Sequence, residues 1–290
     1  MADSFKKGYF RRTRGLFDPA SKEPFRLSRS KVDLFIECPR CFYLDQRLGI
    51  GRPKSFPFNL NNAVDTLLKK EFDTHRAAET PHPLMEQYGI KAVPFKDPRM
   101  EEWRDALKRG VSYNYRPANL ILRGGIDDAW MGEDGSLIIV DYKATSKDGE
   151  VNIDAEWQHG YKRQMEIYQW LFKMNDFKVS PIGYFVYVNG KTDAAAFDAK
   201  LEFDVSVIPY EGSTDWIPAT LETLAKCLRD DRIPKRKDTC EYCGYSEALL
   251  SVSAPVTSQK VQVTEEKVPT KGSKVTKKTP DIKTVDSLFE

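Results

Sequence analysis

Apolar residues recur along this chain at two different periods. Some segments repeat every three to four residues, as amphipathic helices do, while shorter runs alternate or stay apolar throughout, as strands do. Val32, Phe35 and Ile36 mark a first helix, opened by Ser30-Lys31-Val32-Asp33, which resembles a capping box, and ended by Cys38-Pro39. Ala63, Val64, Leu67, Leu68 and Phe72 predict a helix over residues 59–79. Trp157, Tyr161, Met165, Tyr168, Leu171 and Phe172 predict another over residues 154–174, and a further one runs from Ser213 or Thr214 to Leu228. Residues 124–143 read as a β-hairpin: the apolar run of residues 120–122 leads in, Glu133-Asp134-Gly135-Ser136 supplies the turn, and Leu137 to Val140 form an apolar return strand. A buried strand is expected over residues 182–188, then an Asn189-Gly190 turn and an alternating strand over residues 197–207. Residues 80–118, with Pro81, Pro83, Pro94, Pro98 and Pro117 around a short helical stretch at 99–109, read as an insertion wrapping the core.

The ends differ in composition. Residues 1–24 are basic and polar, with Lys6, Lys7, Arg11, Arg12 and Arg14, and read as a flexible arm. Residues 25–246 form the expected folded domain, and the Ser, Thr, Val and Lys bias after it predicts a disordered tail over 247–290. With 40% hydrophobic and 12% aromatic content, 290 residues can bury a substantial core. Lys and Arg number 45 against 43 Asp and Glu, a net charge of +2, so any binding of nucleic acid must be local. No eighteen-residue apolar run exists, and no apolar segment follows the charged N-terminus, which predicts a cytoplasmic protein without a membrane span or signal peptide. In that compartment five cysteines point to metal ligation or free thiols rather than disulfides.

The hairpin carries the chemistry. Its return strand ends in Asp141, Tyr142 and Lys143, and alternation sends Asp141 and Lys143 to one face, where the partner strand can bring Asp127. Two acids and a lysine so placed can hold a divalent metal on oxygen ligands while the ammonium steadies water or developing phosphoryl charge. Asp128 is an alternative to Asp127. Lys162 and Arg163 on the helix that follows could meet phosphates. Trp103, Tyr113 and Tyr115 among Arg104, Lys108 and Arg109 have a composition suited to stacking on unpaired bases, but an aromatic core under surface cations is the expected arrangement.

Gly124-x-Ile126-Asp127, the strand ending Asp141-x-Lys143, and Gln164-x-x-x-Tyr168, in that order, resemble the PD-(D/E)XK nuclease superfamily in its RecB-like branch. The resemblance implies an α/β (α+β) restriction-endonuclease-like core, a central mixed β-sheet flanked by helices. It implies Mg²⁺ or Mn²⁺ on Asp127 and Asp141, catalytic roles for Lys143, Gln164 and Tyr168, and DNA as substrate, cut as an exonuclease beside a helicase or recombination partner. The family's helical metal ligand is a histidine; Asp65 stands at the matching position here, with Glu71 and His75 as alternatives. A catalytically silent nucleic-acid-binding or scaffold protein of the same fold is the alternative reading. At the far end, Val285 to Phe289 resemble the Leu-Phe peptides that bind sliding clamps.

Cys38-x-x-Cys41 and Cys240-x-x-Cys243 are two pairs at opposite ends of the domain, together a tetrathiolate suited to zinc or an iron–sulfur cluster. The resemblance implies a structural [4Fe–4S] staple; the family's usual one early and three late cysteines are two and two here, which leaves zinc open and Cys227 as a further late candidate.

Overall fold

The computed structural model describes residues 11–53 and 58–253. In chain order these form β1 (Phe25–Ser28), α1 (Arg29–Glu37), α2 (Pro39–Gln46), α3 (Asn59–Ala78), α4 (Pro83–Gln87), β2 (Ala92–Pro94) and α5 (Met100–Arg104). Then come β3 (Val111–Tyr115), β4 (Leu120–Gly124), β5 (Asp128–Gly132), β6 (Leu137–Thr145), α6 (His159–Met174), β7 (Ile182–Gly190), β8 (Phe203–Glu211), α7 (Trp216–Arg229) and α8 (Glu241–Ser253).

A five-stranded sheet runs β2-β5-β6-β7-β8, and β1, β4 and β3 form a smaller one. The large sheet is mixed: β6 pairs antiparallel with β5 and parallel with β7, the two parallel strands being joined through α6. A central mixed sheet flanked by helices is the expected architecture.

Alternation along β6 divides the core. Leu137 and Ile139 join Met165, Leu171 and Phe172 of α6 on one face, whereas Ile138, Val140 and Tyr142 join Leu68 and Phe72 of α3 on the other. Strand β6 is thus apolar on both faces, as a central strand must be. Phe72 is fully buried and stacks against Trp130 with ring centroids 5.6 Å apart.

Several expectations are corrected. Leu120 to Leu122 pair within the smaller sheet rather than extending the hairpin, so the hairpin proper is β5 and β6. The Asn189-Gly190 turn does not form: β7 continues through Gly190, which pairs with Phe203, and β8 ends at Glu211. Gly190 lies outside the positive-φ region that such a turn requires. The capping box at Ser30 is absent, since α1 begins at Arg29 and Asp33 pairs with arginines instead. From Arg12 onward the N-terminal arm is anchored, with Arg12 on Asp45 and Phe17 packed edge-on against Phe25. The expected tail is helical from 247 to Ser253; the rest of it, Val285 to Phe289 included, and residues 1–10 lie outside the described residues.

Beside Phe72, His82 lies under its ring at 4.1 Å, accepts the Leu84 N–H on Nδ1 at 3.1 Å, and reaches Glu71 through Nε2 at 3.0 Å. Burial lowers its pKa below 6.5 despite the raising effect of Glu71. The unfolded chain therefore takes a proton near pH 6.5 that the native state refuses, and stability falls as pH falls below that value. Urea midpoints of the wild type should decrease between pH 7 and pH 5.5, and His82→Asn should lessen the slope; an unchanged slope would contradict this assignment.

Candidate active site

Strand β6 delivers the site. Asp141 is completely buried, and its neighbour two residues on, Lys143, makes an ion pair with it. Asp127 lies one residue before β5, at the level of Asp141 in the hairpin register, and its Oδ2 accepts the Tyr142 N–H at 3.0 Å. Burial pushes the Asp141 carboxyl up to about 6, with Asp127 adding to the rise and Lys143 opposing it. Burial alone would lower the Lys143 pKa, but Asp141 and Asp127 more than offset that and raise it. Although Lys143 sits against Asp141, neither carboxylate oxygen receives a well-directed hydrogen bond.

Helix α6 packs on the same face of β6. Gln164 accepts from Lys143 Nζ at 3.4 Å and donates to the Tyr168 hydroxyl at 3.2 Å, so the i,i+4 pair is joined to the hairpin lysine. The Tyr161 ring lies 4.4 Å from the same ammonium. Tyr168 is buried, which raises its pKa, and a Cβ on Gly124 would come within 2.5 Å of its ring; only glycine admits the tyrosine there. The remaining predicted residues part company. Arg163 is tied to Asp33 at 2.5 Å, while Lys162 turns to Asp154 at 3.4 Å and lies over Tyr210. Arg29, missed in the sequence, pairs with Asp33 at 2.6 Å and feels the charge of Asp141 and the Tyr168 hydroxyl. The i,i+4 spacing of Arg29 and Asp33 is its only sequence signal.

Helix α3 approaches from the other side, its Asn61 donating to the Ala144 carbonyl at 2.9 Å. Asp65 comes to the site through Lys69, whose ammonium is 2.8 Å from Asp65 and 3.4 Å from Asp127. Burial and the nearby Asp127 raise the Asp65 pKa against the pull of Lys69. Glu71 and His75 instead engage His82 and Thr80. Asp128 is claimed by a separate buried network: Tyr142 donates to it at 2.7 Å, and Arg76 and Arg104 pair with it. This separates the two adjacent acids, Asp127 toward the site and Asp128 into structure. Trp103 is buried, Tyr113 and Tyr115 are half-buried against Trp170, and Arg104 is held by Asp73 and Asp128, whereas Lys108 and Arg109 are exposed, so the aromatic residues of the insertion pack into the core under surface cations.

The four paired cysteines meet. Cys38, Cys41, Cys240 and Cys243 are buried with sulfurs all within 4.8 Å of one another, and Cys227 is not among them. The Lys237 and Cys41 amides donate to Cys38 and, against burial, bring its pKa down to about 7. Arg52 donates to Cys240 at 3.7 Å and spans to Glu37.

The model of the PD-(D/E)XK nuclease superfamily matches residues 26–248. The chain belongs to that superfamily. Among solved structures, the crystal structure of SSO0001 is similar at 14% identity, with a TM-score of 0.35, covering 82% of this chain and 90% of that one. The search of curated proteins returned no match. Nucleases of this superfamily are phosphodiesterases that use divalent metals, and the residues present fit such an ion: Asp141 offers buried oxygens lacking directed donors, beside the carboxylate of Asp127.

Asp127 and Asp128 should separate by measurement. Asp128→Ala takes from Arg76 and Arg104 their fully buried partner, leaving them Asp73, and leaves the buried Tyr142 hydroxyl without its acceptor; it should cost about 3–5 kcal/mol of unfolding free energy, whereas Asp127→Asn should change it by less than about 1 kcal/mol. Equal losses would contradict the division.

Proposed function

We propose that this protein is a Mg²⁺- or Mn²⁺-dependent deoxyribonuclease, acting as an exonuclease in the cytoplasm beside a helicase or recombination partner. The observation that carries it is the convergence of Asp141, Asp127 and Lys143 at the end of one hairpin, with Asp141 fully buried. The exonuclease and partner readings rest on the likeness to the RecB-like branch.

Asp127 and Asp141 are the residues that would hold the ion, with Asp65 near them. A divalent ion there supplies Lewis acidity toward a phosphate oxygen and makes water more acidic. Lys143 is surrounded by electron-rich groups, namely Asp141, Gln164 and the Tyr161 ring, which favour its ammonium form. It therefore acts as a hydrogen-bond donor that orients water and offsets phosphoryl charge, rather than as a proton acceptor. Gln164 and Tyr168 fix where that ammonium points, and Arg29 adds positive charge behind Asp141. Lys162 and Arg163 are engaged by Asp154 and Asp33, so a substrate phosphate would have to compete for them.

The tetrathiolate serves the same machine structurally. The four sulfurs lie within 4.8 Å of one another, three pairs of them at 3.9, 3.6 and 3.5 Å, close enough for a single ion such as zinc to be shared by all four. A four-iron cluster inserts more atoms between its thiolates and spreads them further. We therefore assign one zinc ion in preference to [4Fe–4S].

A cleavage assay on single- and double-stranded DNA with Mg²⁺ or Mn²⁺ tests the activity: Asp141→Asn and Lys143→Ala should each lose roughly a thousandfold or more. Cleavage surviving both substitutions would defeat the assignment. Anaerobically purified protein should contain one zinc and be colourless. Cys240→Ser should lower its melting temperature by on the order of 10 °C; a brown, iron-rich preparation would favour the cluster instead.

A further inference from the structure

Lys69 is a second lysine at the centre, with no part in the reaction above. Its ammonium lies 2.8 Å from Asp65 Oδ2 and 3.4 Å from Asp127 Oδ1, with the side chain only 22% exposed. The other Asp127 oxygen accepts the Tyr142 N–H at 3.0 Å, so this carboxylate spans from the β6 backbone to α3. Helix α3 cannot readily carry Lys69 away. Asn61 pins its first turn to the Ala144 carbonyl, while Asp73 and Arg76, further along, engage Arg104 and Asp128.

In hydrolytic sites with two metals, the ions stand about 3.5–4 Å apart and clamp the attacking and leaving oxygens between them. A carboxylate placed between two such positions can serve both. Asp127 lies close enough to feel both Asp141 and Asp65, and the space between Asp127 and Asp65 is where the Lys69 ammonium sits. Asp141, Asp127 and Asp65 face the Lys143 and Lys69 ammonium groups, with Arg29 behind Asp141, so the carboxylate charge is already balanced before any divalent ion adds its own. A second ion beside Lys69 would set like charges together in a half-buried site.

We propose that Lys69 stands in for a second metal ion, so that the centre takes one divalent ion, on Asp141 and Asp127, and the ammonium supplies the other positive charge. This rests on the nuclease reading of the same residues. Lys69 is a positioning residue in this account, acting on Asp127 and Asp65.

Metal stoichiometry tests it without reference to activity. The full chain, with its thiolate site loaded as purified, is titrated with Mn²⁺ at pH 7.5 and free Mn²⁺ is read by electron paramagnetic resonance. The wild type and Lys69→Arg should bind one Mn²⁺ per chain. Lys69→Met and Lys69→Gln, which keep much of the side-chain volume and remove the charge, should each bind two, and adding Asp65→Asn to either should restore one. Two ions in the wild type, or one in both uncharged variants, would overturn the proposal while leaving the nuclease reading intact. A wild type that binds no Mn²⁺ would overturn the nuclease reading itself, and this proposal with it.

Discussion

A carboxylate with no exposed atom is among the more expensive things a protein can bury, and Asp141 is one. Its companion Lys143 supplies the opposite charge without a well-directed hydrogen bond to either oxygen. The rest of the centre follows from that placement. Alternation along β6 sends Asp141 and Lys143 to the face covered by α6, where Gln164 and Tyr168 receive them, and sends Tyr142 to the face covered by α3, where it bonds Asp128. One strand thus divides the polar groups into the set proposed to be reactive and a structural set, even though Asp127 and Asp128 are adjacent in sequence.

The structural set keeps the reactive one in place. Arg76 of α3 and Arg104 of α5 converge on Asp128, tying both helices to the start of β5 next to Asp127. At the other end of the fold, Cys38 and Cys41 of the first helices meet Cys240 and Cys243 across 202 positions between Cys41 and Cys243. A metal bound there would close a long loop, restricting the unfolded chain and holding α1, which carries Arg29 and Asp33 to the site.

Much of this was legible in the sequence because it is local. The Asp141-x-Lys143 strand end, the Gln164 and Tyr168 helical spacing, and two Cys-x-x-Cys turns are set by short-range geometry. What was not legible depends on partners far along the chain. Asn189-Gly190 has turn chemistry, yet pairing with Phe203 carries β7 straight through it. Ser30 and Asp33 have capping-box spacing, yet Arg29 and Arg163 take Asp33. Three-residue β2, ending in Pro94, is too short to show a period, and only its pairing with β5 makes it a strand. Lys69 carries no signal of its own in the sequence; only the fold brings Asp127 beside it.

The central claim is that buried Asp141 and neighbouring Asp127 form a divalent-metal site with Lys143 at its edge. Anomalous diffraction from crystals soaked in Mn²⁺ tests it most directly. A peak is expected within coordination distance of both carboxylates, with the Lys143 ammonium displaced from Asp141 toward Gln164. A map in which Lys143 still holds Asp141 and manganese scatters elsewhere, or nowhere, would contradict it.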